Sequence, residues 1–137
     1  MKLRTLLLLM AAGLLLSAHP MGNFSISHYA RLTPQAKHVD LLYAIDLAEI
    51  PTFELLREWK LEGTSPRPNL EARALGQARQ WAKQLAITVD GKPVAPRVGK
   101  TDLVIADGAG GLPVLRITAT MTLPAQPGRL TYADNNY

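Results

Sequence analysis

Cysteine is absent from all 137 residues. That excludes disulfides, thiolate metal sites, thiol redox chemistry, a cysteine nucleophile and a lipidated N-terminal cysteine. Histidine occurs three times and aromatic residues make up 6% of the chain. No basic run is interleaved with aromatics, so nucleic-acid binding has no footing here. After Leu16 no apolar run reaches membrane-spanning length. A domain without disulfides or a spanning helix has to be held by its hydrophobic core alone.

The chain opens on export chemistry. Lys2 and Arg4 give a positive start, and Leu6–Leu16 is an apolar run softened only by Ala11, Ala12 and Gly13. As a helix that run covers about 16 Å, well short of a hydrocarbon core about 30 Å thick. Its length fits the core of a signal peptide, and Ser17-Ala18 supplies the small residues at which a peptidase cuts. Residues 1–18 are therefore expected to be a signal peptide, with cleavage after Ala18. Removing 18 of 137 residues leaves 119, enough for one core. It also removes two cations, so the net charge falls from +4 to +2. The expected location is periplasmic or otherwise extracytoplasmic.

Beyond Gly22 the sequence alternates with period two. In 23–32, Phe24, Ile26, His28, Ala30 and Leu32 share one face; in 38–47, Val39, Leu41, Tyr43, Ile45 and Leu47 do. Two such runs joined by Thr33–Lys37 predict an antiparallel hairpin. The period then changes. Pro51 should end the strand, Thr52 should cap a helix running to Gly63, and Asn69 should cap a second helix after the stiff segment TSPRP. Leu70, Ala74, Ala78, Trp81, Ala82 and Leu85 form its apolar stripe. Strand signals resume at 86–89, where Asp90-Gly91 marks a tight hairpin and Pro93 confines the next arm to an edge. Further strands are expected at 101–106, 113–123 and 130–132, separated by DGAGG and PAQPG. The predicted fold is mostly β: an antiparallel β-sandwich over 19–137 with a helical insertion at about 52–85. An immunoglobulin-like strand order is one form it can take. The final YADNNY starts as a strand and runs into a polar, turn-prone cluster, which leads us to expect that the natural polypeptide continues.

Cleavage after Ala18 gives His19 a free α-amine beside its imidazole, and the two together can chelate one metal ion. Both groups have lone pairs available near neutral pH, and imidazole suits nickel, cobalt, copper and zinc. Pro20 lacks an N–H, so a site using deprotonated backbone amides cannot form. A further ligand would come from His28, Met21 or an acidic residue, so His19 and His28 are the candidate metal ligands. The blander alternative makes His28 a hydrogen-bonded core histidine. Asp46 and Glu49 invite an acid–base reading, but no nucleophile or oxyanion signal accompanies them, so no enzyme is expected. Trp59 and Trp81 fall on the two helices, where they read as core anchors; the alternative is a membrane-interface contact beside Arg57, Lys60, Arg79 and Lys83.

The segments His19-Pro20-Met21-Gly22-Asn23-Phe24-Ser25-Ile26-Ser27-His28-Tyr29 and Asp46-Leu47-Ala48-Glu49-Ile50-Pro51-Thr52, with the closing Tyr132–Tyr137, resemble an extracytoplasmic domain. It precedes the membrane region in bacterial nickel/cobalt-transporter-like proteins. The resemblance implies export, tethering to a membrane region that this sequence lacks, and handling of a transition metal. It assigns no binding residues, so His19 and His28 rest on their chemistry alone. The alternative is a free periplasmic metal-binding or metallochaperone-like domain built on His19.

Overall fold

The computed structural model describes residues 23–137. The expected signal peptide and cleavage site, and His19, lie outside the described residues. Nine residues of β1 (Ile26–Pro34) pair antiparallel with β2 (Val39–Leu47), in the register Ile26↔Leu47 to Pro34↔Val39. The hairpin expected from the alternation is thus present. Val39, Leu41, Tyr43, Ile45 and Leu47 all face inward and are buried. Two helices come next, α1 (Glu49–Trp59) and α2 (Arg67–Lys83). The remaining strands are β3 (Leu85–Val89), β4 (Lys92–Pro93), β5 (Arg97–Asp107), β6 (Pro113–Leu123) and β7 (Leu130–Asp134).

The strands form two antiparallel sheets, a four-stranded one in the order β1-β2-β6-β5 and a three-stranded one in the order β4-β3-β7. Lettered along the chain, the first is A-B-E-D and the second C′-C-F. This strand order matches that of an immunoglobulin sandwich, with the helices inserted between B and C. Among the described residues no strand occupies the G position beside β7. The helices pack on the inner face of the larger sheet, against β2, β5 and β6, and Leu85 and Ile87 of the smaller sheet join the same core. Val39 to Leu47 on β2 and Leu115, Ile117, Ala119, Met121 and Leu123 on β6 form the floor of that core. Among the described residues no helix is long and apolar enough to cross a membrane.

Helix boundaries differ from the sequence expectation for identifiable reasons. Helix α1 begins at Glu49, three residues before Thr52, because proline is tolerated in a first helical turn and Pro51 therefore need not delay it. Thr52 is not the cap. It is fully buried, and its hydroxyl donates to the Leu47 carbonyl at 2.9 Å, tying the helix back to the end of β2. Lys60, in the left-handed conformation (φ 57°), ends the helix before Gly63 is reached. Helix α2 likewise starts at Arg67, with Pro68 in its first turn, rather than after Asn69. Its stripe is as expected from Leu70 through Ala74, Ala78 and Trp81 to Ala82, all buried, whereas Leu85, also buried, belongs to β3 because the helix ends at Lys83. The Arg67 guanidinium reaches the Leu103 carbonyl at 2.5 Å, fastening the helix start to β5. The Asp90-Gly91 turn has both residues at positive φ (50° and 75°), as a tight two-residue hairpin requires.

Candidate functional site

His28 lies on the inward face of β1, opposite Ile45, at the open side of the sandwich where β1 and β7 come together. Its Nδ1 is 2.7 Å from Asp134 Oδ2 at the end of β7. A carboxylate can only accept, so Nδ1–H donates and Nε2 is left for another partner. Tyr43 donates its hydroxyl to the same Oδ2 at 2.8 Å. The other oxygen, Oδ1, accepts from the backbone N–H of Asn136 at 3.0 Å and from its side-chain amide at 2.8 Å. That amide also donates to the Tyr43 hydroxyl (3.2 Å) and to the Trp81 carbonyl (3.1 Å). One carboxylate thus joins β1 and β2 to the end of β7, and the Asn136 amide carries the link on to α2.

Aromatic rings close over this knot. Trp81 meets Tyr43 edge-on at 6.4 Å and Tyr137 at 6.3 Å, while Tyr137 stands perpendicular to His28 at 6.1 Å. This packing sets the electrostatics. Burial alone would push the Asp134 carboxyl up, but hydrogen bonds from His28, the Asn136 N–H, Tyr43 and the Asn136 amide outweigh it and hold the group below its ordinary value. Burial, and then Asp134 itself, push the Tyr43 phenol far above its normal range and Tyr132 up to about 12. Both phenols stay neutral donors at any physiological pH.

A second carboxylate organises the neighbouring corner. Glu49 Oε2 accepts from the Asn23 N–H at 3.0 Å and Oε1 from the Ala109 N–H at 2.7 Å. The Ala109 bond, its own N–H and the Asn23 bond hold its carboxyl below the usual range. Beside it, Ala48 N–H donates to the Ser25 carbonyl and Ile50 N–H to the Asn23 carbonyl, extending the β1–β2 pairing into the turn before α1. Gly108 lies against this carboxylate so closely that a Cβ there would come within 2.8 Å of Glu49 Cγ. Asp46 is engaged differently, in a two-point pair with Arg116 on the outer face of the larger sheet.

Of the residues singled out from sequence, Trp59 and Trp81 are buried core anchors at 5% and 3% exposure. Asp46 and Glu49 do not face each other; each is taken up by its own structural partners. His28 is held by a carboxylate yet keeps 28% of its side-chain exposure. Among the described residues no three histidine, aspartate or glutamate side chains gather as a metal cage. What sequence reasoning missed is Tyr43, Asp134 and Asn136 as one network. The signal was present in YADNNY, where a strand ends in acceptor-rich turn residues flanked by aromatics.

A groove of about 270 Å³ opens next to the network, lined by Phe24, Ile26, Pro51, Leu55 and Tyr137, with Glu54 and Glu58 on its rim. Phe24 and Tyr137 are 69% and 67% exposed there. Comparison of the chain with family models, with curated proteins and with solved structures found no match.

Proposed function

We propose that this chain is the non-enzymatic extracytoplasmic domain of a nickel/cobalt-transporter-like membrane protein, one part of a longer polypeptide. One observation carries the reading. The described parts of the three segments that resemble such domains, separated by up to about a hundred residues, touch one another. Asn23 bonds Glu49, His28 bonds Asp134, and Phe24, Pro51 and Tyr137 line one groove. Segments that recur together because they build one structural unit behave this way. A non-enzymatic role is supported by the engagement of three carboxylates here: Asp46 with Arg116, Glu49 with backbone N–H groups, and Asp134 with His28, Tyr43 and Asn136.

Export is tested by fusing bacterial alkaline phosphatase after Tyr137. The reporter matures only where its disulfides form. Full activity is expected with residues 1–18 present and background without them; background activity in both overturns export. Reading the messenger beyond codon 137 tests the membrane part. Several apolar runs of about 20 residues are expected, and an immediate stop codon overturns that part.

A second reading, a metal-binding periplasmic domain, is favoured by the orientation of His28. Carboxylates commonly hold one ring nitrogen of a ligating histidine and aim the other at the metal, as Asp134 does with Nδ1. In this reading His28 Nε2 shares nickel, cobalt, copper or zinc with the amine and imidazole of His19. Calorimetric titration of the form beginning at His19 should show binding that one extra residue before His19 abolishes. Equal affinity in both forms excludes the amine chelate.

A further inference from the structure

We infer that the open edge of β7 accepts one more antiparallel strand, the G strand of the immunoglobulin order, supplied by the polypeptide beyond Tyr137. The inference rests on the preceding proposal that the chain belongs to a longer protein.

The first ground is topological. Both sheets match the immunoglobulin order strand for strand, A-B-E-D and C′-C-F, and the position left over is the one beside F, which is β7.

The second ground is the direction of the backbone groups. Asn135 N–H donates to the Gln84 carbonyl at 3.2 Å, and Asp90 N–H donates to the Arg129 carbonyl at 2.9 Å. These bonds sit at either end of the β3–β7 register, which runs from Leu85↔Asp134 to Val89↔Leu130. Bonded and non-bonded pairs alternate along an antiparallel ladder. Ala133 and Thr131 therefore bond to β3, while Leu130, Tyr132 and Asp134 turn their N–H and C=O groups to the opposite edge. Among the described residues no backbone group pairs with that edge.

The third ground is that this edge is blunted by neither proline nor lysine. On the other side of the same sheet, β4 is two residues long and contains Pro93, a blunted edge. Strand β7 has neither proline nor lysine: its sequence is Leu-Thr-Tyr-Ala-Asp, with Leu130, Tyr132 and Asp134 half-buried on the inner face and Thr131 and Ala133 exposed on the outer. A strand laid beside it would meet Leu130, Tyr132 and Asp134 on one face and Thr131 and Ala133 on the other.

The fourth ground is local. Asn136 N–H closes onto Asp134 Oδ1, an Asx turn, and Tyr137 comes next at φ 61°. This is turn chemistry of the kind that reverses a chain at the end of a strand.

The test compares amide hydrogen exchange, resolved residue by residue by NMR, in residues 19–137 and in the same protein extended by its natural downstream residues up to the first apolar run. The amides of β2 and β6 report in both forms that the core is folded. In the extended form the amides of Leu130, Tyr132 and Asp134 should exchange at least about a hundredfold more slowly than in the shorter one. Unchanged exchange at these three amides, with β2 and β6 protected, overturns the inference. The outcomes separate it from the proposal beneath it. Apolar runs downstream with an unprotected edge leave the transporter-like reading standing and remove the strand. Protection by a downstream segment that leads to no apolar run keeps the strand and removes the reading.

Discussion

Replacing Asp134 with alanine is expected to lower the unfolding free energy by about 3 kcal/mol, and the melting temperature by about 12 °C for a chain of this size. The carboxylate is 14% exposed and receives four hydrogen bonds from three residues. Without it, His28 can turn toward water because part of its ring is already exposed. Tyr43 cannot: it is 1% exposed, and its O–H loses its acceptor while the oxygen still accepts from Asn136. The backbone N–H of Asn136 loses its acceptor as well. A buried donor left unpaired costs its desolvation, about 1–3 kcal/mol each, which sets the size of the effect.

Asp134→Asn separates charge from shape. Its Oδ1 still accepts from Asn136, and His28 can change tautomer to accept from the new amide, so only the Tyr43 hydroxyl stays unpaired, at about 1 kcal/mol. Acid should act in the same direction. The folded Asp134 carboxyl titrates below its ordinary value, so the unfolded chain takes up the proton first. The stabilisation is complete above the unfolded value of about 3.9 and is lost as pH falls through the folded value. Glu49 has the same sign. In denaturant titrations the difference between wild type and Asp134→Asn should therefore shrink below pH about 4. Equal stability of Asp134→Ala and wild type at neutral pH would show that the carboxylate is a surface contact and that the knot is held by the aromatic rings alone.

The sheets were legible because their signals are local. Alternation over ten residues fixed which side of β2 is buried, Asp90-Gly91 fixed a hairpin, and Pro93 fixed an edge. The apolar stripe of α2 was legible for the same reason, with spacings of three and four along one helix. The helix starts were not, since a proline in a first turn and a proline that ends a strand are the same letter. The site was less legible still. His28 was singled out, but its partner lies 106 residues away and Tyr43 lies 91 residues from that partner. Tyr43 also sits in the apolar row of β2, where an inward phenol and an inward leucine look alike. Only the fold brings β1, β2 and β7 to one side, so no spacing rule could have joined these residues. Glu49 is a parallel case: its own segment gives no sign of Asn23 and Ala109, which claim its two oxygens from 26 and 60 residues away.

The largest loss is expected from Trp81→Ala, about 4 kcal/mol and about 15 °C in melting temperature. Trp81 is 3% exposed at the last turn of α2, where the helix meets the strands. Its ring packs edge-on against Tyr43 and tilted against Tyr137, and its carbonyl accepts from Asn136. Alanine keeps the carbonyl but opens a cavity among groups fixed by hydrogen bonds, so the surroundings cannot collapse to fill it. That places the cost toward the upper part of the range for large-to-small core changes. Trp81→Phe keeps a ring in the gap and should cost less than half as much. The alternative, a tryptophan seated at a membrane boundary, predicts the opposite pattern: little loss of stability on truncation and a fluorescence change on adding lipid vesicles. With Trp59→Phe as background, the emission of Trp81 should be that of a buried indole and should not move with vesicles of anionic or zwitterionic lipid. A near-neutral Trp81→Ala with lipid-sensitive emission would reassign this face from the core to a membrane surface. The asymmetry between the two outcomes is large because the same ring supports both sides of the sandwich: through Tyr43 it holds β2, and through Tyr137 it holds the segment that follows β7.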